Sequence, residues 1–295
     1  MFASEQGADG GEVVRSPAKI NWTLGVHRKR PDGFHEISSL ISLVTLYDEL
    51  SFSDGAGPGL VLECDRSEVP TDRSNLVYRA AELLASRAGR IVGLRCRLAK
   101  RIPVGGGLGG GSSNGASTLM ALNRRWELGW STGQLAELAA ELGSDVALFL
   151  EQGSAVVSGR GETVRPTTLG WRGWIVLLIP GLHVSTAGVY RSWRAGQQQA
   201  GPVEPGSAAD AVDWMERTFN MLEAPAIEAC PQLGALQRHA AEIAQRPVRM
   251  SGSGSTLFTA FNTRDEADGF SRAAGGRLGV RTEVVQPVEQ VGERT

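Results

Sequence analysis

A chain of 295 residues, 41% of them hydrophobic, carries enough apolar material for a sizeable core in one large or two smaller domains. Lys and Arg total 30 against 32 for Asp and Glu, and the net charge of −2 gives none of the broad basic surface that nucleic acid or an anionic membrane would need. Cys64, Cys96 and Cys230 are far apart and His27, His35, His183 and His239 form no ligand-spaced cluster, so neither a disulfide framework nor a zinc site is expected.

The first sixteen residues are acidic, Gly-rich and poor in apolar side chains, unlike a signal or transit peptide, and 1–12 are expected to form a disordered leader on a cytoplasmic protein. The longest apolar run, 174–180, is too short to cross a bilayer. Near-alternation of Val13, Val14, Ile20, Trp22 and Leu24 predicts a strand over 12–25, interrupted at Pro17, with Lys19 in or beside it. Residues 27–35 contain a Pro31-Asp-Gly33 turn among basic side chains and read as an exposed cationic loop. A strand-like stretch covers 37–52 and a loop 53–59. Apolar positions 76, 77, 80, 81, 83, 84 and 88 have helical spacing, with Thr71, Asp72 or Ser74 as the cap. Leu94, Cys96 and Leu98 alternate with Arg95 and Arg97 as a half-buried strand leading towards Pro103.

Residues 103–114 then read Pro-Val-Gly-Gly-Gly-Leu-Gly-Gly-Gly-Ser-Ser-Asn, with Gly at six of the seven positions from 105 to 111. Such a run loses much backbone freedom on folding and packs few side chains. Close approach of backbone N–H groups to an anion would offset that loss, and phosphate is the obvious anion. A helix is expected to start near Ser112 and Ser113, turning free amides and its positive dipole end to the same ligand. A linker or hairpin turn is the plainer alternative, and the position between strand and helix argues against it.

Ser131 and Gln134 have capping-box spacing before a second helix that Gly143 stops, and Ser144-Asp145 follows. A strand at 155–157, a turn at 158–161 and a Pro, Thr and Gly cluster at 166–170 complete the first half. The cluster divides the chain into 13–168 and 169–295. The second part offers a strand at 174–179, helical patterns at 187–193, 211–219 and 233–243, and a loop at 195–210. A Ser-Gly turn at 251–255, apolar residues 257–261, a helix at 264–274 and a strand at 279–286 end the chain. The order is that of an α+β protein.

The glycine stretch satisfies G-x-G-x-x-G only trivially and lacks the Gly-Lys-Ser/Thr end of a P-loop, while the protein-kinase His-Arg-Asp and Asp-Phe-Gly signatures are absent. Residues 103–113 instead resemble the phosphate-binding motif of the GHMP kinases, P-x-G-x-G-L-G-S/G-S/G-S. Ser16-Pro-Ala-Lys-Ile-Asn21 is similar to that family's N-terminal motif, and Met250-Ser-Gly-Ser-Gly-Ser255 to its third. Arg30-Pro-Asp-Gly-Phe-His-Glu36, Asn75-Leu-Val-Tyr-Arg-Ala-Ala81, Gly143-Ser-Asp-Val146 and Val184-Ser-Thr-Ala-Gly-Val-Tyr190 resemble one branch of it. That branch phosphorylates the 2-hydroxyl of a cytidine-diphosphate-linked methylerythritol in non-mevalonate isoprenoid synthesis.

The resemblance implies a GHMP kinase fold, with a ribosomal-S5-like ATP-binding and catalytic domain at 13–168 and a ferredoxin-like substrate-binding domain at 169–295. It implies ATP and Mg²⁺ as cofactors, a small-molecule CDP-linked substrate, and neither nucleic acid nor membrane as partner. Lys100, Pro103, Val104, Gly105, Gly106, Gly107, Leu108, Gly109, Gly110, Gly111, Ser112 and Ser113 would bind the nucleotide. Mg²⁺ would be held mainly by its phosphates and water. Asp145 would be the base for the acceptor hydroxyl and Lys19 the activating cation. From the residues alone Asp145 could equally cap a short helix at 146–150, and Lys19 could be an ordinary strand-edge lysine. Phe34, His35 and Tyr190 would hold the cytosine and Asn21 the sugar-alcohol end, where single aromatics are otherwise usually core. Ala147, Met221 and Asn114-Gly115 depart from the family pattern without removing any of these groups. Another GHMP kinase acting on homoserine, mevalonate or a sugar, or a non-catalytic nucleotide-binding regulator, remains open at this point.

Overall fold

In the computed structural model, which describes residues 4–6, 12–151, 153–194 and 206–288, the first half is built along one long strand. The elements in order are β1 (Ser4–Gln6), β2 (Glu12–Asn21), β3 (Thr23–Lys29), β4 (His35–Asp54), β5 (Gly59–Cys64), α1 (Leu76–Arg87), β6 (Gly93–Ala99), α2 (Gly110–Arg125), α3 (Thr132–Leu142), β7 (Ser154–Gly159) and β8 (Thr163–Thr167). One edge of β4 pairs antiparallel with β2, from Glu12↔Phe52 to Asn21↔Ile41, and with β3. The other edge takes β6 opposite 49–54 and β7 opposite 37–42. β5 adds parallel to β6, and β8 antiparallel to β7. The three helices bury Leu84, Leu119 and Leu138 against Val14, Leu50 and Phe52 of the sheet. At about 25 cal/mol per Å² of apolar surface, such burial is the dominant stabilising term.

The second half contains β9 (Trp174–Ile179), α4 (Thr186–Ser192), α5 (Ala211–Glu216), β10 (Phe219–Asn220), α6 (Glu223–Ala229), α7 (Pro231–Ala244), β11 (Arg249–Met250), β12 (Leu257–Phe261), α8 (Arg264–Leu278) and β13 (Arg281–Val285). An antiparallel sheet of order β11-β12-β9-β13 has α7 and α8 packed on one face with Val176, Leu178 and Phe261. Its other face turns Ile175, Leu177 and Phe258 towards Ile20, Trp22 and Leu40 of the first sheet. Burial on both faces is why β9 is a continuous apolar run without alternation. β10 pairs parallel with β3, Phe219 opposite Thr23, so the second half also extends the first sheet.

Several expectations are corrected here. Within the leader expected to be disordered, Ser4–Gln6 pair with Glu12–Val14, and the rest of 1–11 lies outside the described residues. α1 is capped by Asn75, whose Oδ1 accepts the Val77 N–H at 2.9 Å, because Asp72 is already engaged by Ser74. α2 begins at Gly110, two residues before Ser112. β5, β8, β10 and α6 have no counterpart in the expected elements, β3 continues to Lys29 within the loop expected over 27–35, and most of the loop expected over 195–210 lies outside the described residues. No helix among the described residues is long and apolar enough to cross a membrane.

Candidate active site

The strand β6, its alternate residues buried, delivers the chain to Pro103, and the next seven residues turn back on themselves. Gly105, Gly107 and Gly109 hold φ of +70°, +76° and +70°, a region open to glycine at little cost and to other residues only with strain. A Cβ at Gly107 would stand 2.1 Å from the Ser251 carbonyl oxygen, and one at Gly109 2.7 Å from Phe149 Cζ. Bare backbone is therefore a steric requirement there. Buried Leu108 anchors the loop in the core, and its carbonyl accepts the Lys19 N–H at 3.0 Å. The Ser-Gly turn braces the other side: Ser251 Oγ donates to Gly107 O at 3.0 Å, and the Thr256 N–H donates to Gly106 O at 3.2 Å. Ser113 N–H makes the first hydrogen bond back along α2, to Gly109 O, so the amides of 110–112 have no partner within the helix.

Lys19 reaches the same place from β2. The β2–β4 register shifts between Pro17 and Ala18, a bulge at the residue that cannot donate to the ladder, and Lys19 follows it. Its ammonium is buried and donates to Asn21 Oδ1, and Asn21 Nδ2 donates in turn to Ser39 Oγ at 2.8 Å, which fixes the amide's orientation. Burial holds the Lys19 pKa below the ordinary lysine value, and the Asp145 carboxylate opposes that shift. Asp145 lies half-buried in the turn after α3, whose C-cap is Gly143. The 3₁₀ turn that follows, Ala147–Leu150, has Val146 at its N-cap and no side-chain cap hydrogen bond, so Asp145 does not cap it. The β7–β8 turn comes close on the other side, where a Cβ at Gly161 would stand 3.3 Å from Asp145 Oδ1.

The aromatic groups come from two further elements. Between β3 and β4 the Asp32 carboxylate accepts the Phe34 N–H at 3.2 Å and Gly33 turns at φ +86°, leaving Phe34 half exposed and His35 at the first residue of β4. α4, capped by Ser185, brings up Tyr190 and, three residues later, Trp193. His35 stacks on Tyr190 with centroids 5.6 Å apart and meets the Trp193 edge at 5.4 Å. Burial and then the Lys29 charge lower the His35 pKa, which favours the neutral ring with one donor and one acceptor. The Tyr190 hydroxyl is pushed up to about 12 by burial and by Asp145, and so keeps its proton.

All these groups face one cavity of about 930 Å³, lined among others by Lys19, Asn21, Phe34, His35, Asp145, Tyr190 and the three left-handed glycines. Lys19, Lys29, Arg160 and Arg191 set four cations against the carboxylate of Asp145 on its wall, which suits an anionic ligand. The other loop residues are not among its lining: Val104 is exposed, while Leu108 and Ser113 are buried, Ser113 accepting from Ser16 Oγ. Lys100 does not reach the cavity: its ammonium is held behind the loop by Asp48 and Asn114. Sequence reasoning missed Lys29, Arg160, Thr186, Arg191 and Trp193. Arg160 stands 5.3 Å over the Phe34 ring, and Thr186 Oγ1 lies 2.7 Å from Ser253 Oγ. Lys29 lay in the cationic loop, Thr186 in the segment ending at Tyr190 and Trp193 one helical turn after Tyr190, whereas Arg160 and Arg191 had no local signal. Among the described residues no group of three or more His, Cys, Asp or Glu side chains could hold a metal ion.

The family model described as the GHMP kinases N terminal domain matches residues 75–153. A 4-diphosphocytidyl-2-C-methyl-D-erythritol kinase of Bacillus pumilus is 38% identical over 250 residues, 83% of this chain and 86% of that one. The protein of the same name from Syntrophotalea carbinolica is 37% identical over 94% of this chain and 99% of its own. A crystal structure of 4-(cytidine 5'-diphospho)-2C-methyl-D-erythritol kinase superposes with a TM-score of 0.80 at 34% identity, covering 94% of this chain and 99% of that one. A homoserine kinase from Cytophaga hutchinsonii, at 18% identity and a TM-score of 0.74 over 97% of both chains, shares the fold. Identity at that level over most of both lengths decides the matter: the chain is an ATP-dependent small-molecule kinase and belongs to the 4-diphosphocytidyl-2-C-methyl-D-erythritol kinase family of GHMP kinases.

Proposed function

We propose that this chain transfers the γ-phosphoryl group of ATP to the 2-hydroxyl of 4-diphosphocytidyl-2-C-methyl-D-erythritol, a step of non-mevalonate isoprenoid precursor synthesis, in the cytoplasm. The observation that carries this is the single cavity shared by the glycine loop, the Lys19–Asp145 pair and the Phe34, His35 and Tyr190 rings. The loop fits a polyphosphate, since Gly105, Gly107 and Gly109 line the cavity and the amides of 110–112 at the start of α2 have no partner within the helix. Mg²⁺ would enter on the nucleotide's phosphates and neutralise their developing charge.

The transfer is direct. As the acceptor oxygen bonds to phosphorus, the bond from phosphorus to the ADP oxygen breaks in line, and Asp145 takes the hydroxyl proton. Lys19, whose charged form the Asp145 carboxylate favours, offsets negative charge in the transition state. Asn21, fixed by Ser39, is placed to hold the alcohol end of the acceptor. Phe34, His35 and Tyr190 hold the cytosine by stacking and base-edge hydrogen bonds. In the structure His35 and Tyr190 lie against each other, so a base that enters between them must part them. The donor cradle and the catalytic pair come from 13–168, and 169–295 adds Tyr190 and the Ser-Gly turn.

The test is ADP release by purified protein with Mg²⁺-ATP and a panel of acceptors. Turnover with the CDP-alcohol and none with homoserine or mevalonate is expected. Turnover with homoserine or mevalonate alone would overturn the substrate, and none with any acceptor would favour a nucleotide-binding regulator.

A further inference from the structure

Behind the glycine loop lies a buried polar network to which the chemistry above gives no part. Asp48 on β4 is fully buried, as are Ser16 and Ser113, and Asn114 and Lys100 nearly so. Asp48 Oδ1 accepts the backbone N–H groups of Arg101 at 2.8 Å and Ile102 at 2.9 Å, the residues leading into the loop. Its Oδ2 accepts the Lys100 ammonium and, at 3.0 Å, Nδ2 of Asn114, which stands on α2 just past the loop. Asn114 Oδ1 accepts from Lys100 at 3.2 Å, and Asn114 Nδ2 also donates to Ser16 Oγ at 2.9 Å. Ser16 Oγ donates to Ser113 Oγ at 2.7 Å and so joins the network to β2, three residues before Lys19.

For holding elements together, a buried ion pair is seldom better than apolar side chains of the same volume, because desolvation offsets most of its attraction. What this one adds is direction. Each donor has a fixed acceptor, and a single carboxylate grips the chain on both sides of the loop. A Cβ at Gly110 would stand 3.1 Å from Lys100 Nζ, so the pair also supports the first residue of α2 from below. We propose that Asp48 is a positioning residue for the phosphate donor, fixing the entry and exit of the glycine loop so that its amides and Lys19 share one rigid frame. Lys100 then acts through Asp48 and Asn114 rather than on the nucleotide.

This rests on the loop being the ATP cradle, and the experiment separates the two. In the full-length Asp48→Asn/Lys100→Met variant both charges go together, so no lone buried charge is left. ADP affinity, KM for ATP, KM for the CDP-alcohol and the thermal midpoint are measured beside wild type. The ADP dissociation constant and the KM for ATP should rise about tenfold, within the ~10²-fold that a 1 Å misplacement can cost, while the acceptor KM keeps its wild-type value. A lower midpoint with unchanged ADP affinity overturns the proposal, as does an equal rise in both KM values. Should that variant not fold, Ser16→Ala, which removes an uncharged link, carries the same test with the same two outcomes. Wild-type protein that binds no ADP would remove the cradle itself, and the proposal with it.

Discussion

Burial and charge oppose each other at Lys19. Folding takes its ammonium out of water and lowers its pKa, so below that lowered pKa the folded state bears the desolvation cost in full. As pH rises past the folded pKa towards the ordinary lysine value, the folded state has lost the proton that the unfolded chain still binds, and stability rises. Activity runs the other way, because the proposed role needs the charged form. Turnover should therefore fall on the alkaline side at a pH below about 10.4, the ordinary lysine pKa. Lys19→Met should lower kcat by about 10²-fold or more, leave ADP affinity nearly unchanged, and raise the thermal midpoint at neutral pH. Wild-type turnover in that variant rejects the role, and a lowered midpoint rejects the desolvation account.

Helix ends show how far local sequence reaches. The Ser131–Gln134 capping box of α3 is complete within four residues and was legible from them. α1 offered three candidates, and the cap is a fourth, Asn75, because an Asp72 turn uses the earlier groups on one another and moves the helix start. Asn75→Ala should cost about 1 kcal/mol and lower Tm by ~2 °C, as read by far-UV circular dichroism. Ser74→Ala should leave Tm close to wild type. The strand, glycine loop and helix order was legible for a similar reason: left-handed turns and free amides depend on glycine wherever the loop sits. That Gly107 has no room for a Cβ depends on Ser251, 144 residues away in sequence, and no local pattern carries it. The cationic wall is likewise tertiary, since Lys29, Arg160 and Arg191 come from separate elements. Lys100, a nucleotide ligand by the resemblance, is held instead by Asp48, which lies in the strand expected over 37–52 but whose pairing with a residue 52 positions away no local pattern carries.

For the whole molecule the division at 168/169 meets a core that ignores it. Trp22 of β2 and β3's junction packs edge-on against Trp171 at 5.7 Å, Trp214 at 5.4 Å and Phe258 at 5.4 Å, so one side chain from the first half is enclosed by three from the second. Its indole N–H donates to Ser42 Oγ at 2.7 Å, which ties the cluster back to β4. Met221 N–H donates to Leu24 O at 2.9 Å and carries the second half into the first sheet. Neither half can keep its apolar face covered once the other unfolds, so the two should melt as one unit. Tryptophan fluorescence, to which the three tryptophans of this cluster contribute among the chain's seven, and far-UV circular dichroism, which averages both sheets, should give coincident thermal transitions, and ADP should shift both together. Trp22→Ala removes the shared side chain at a cost of about 3–5 kcal/mol, and both signals should move down by the same amount. Transitions that separate in wild type, or a Trp22→Ala variant in which only one signal shifts, would show two independently stable domains instead. The cavity between the halves would then be held by contacts far weaker than a common core.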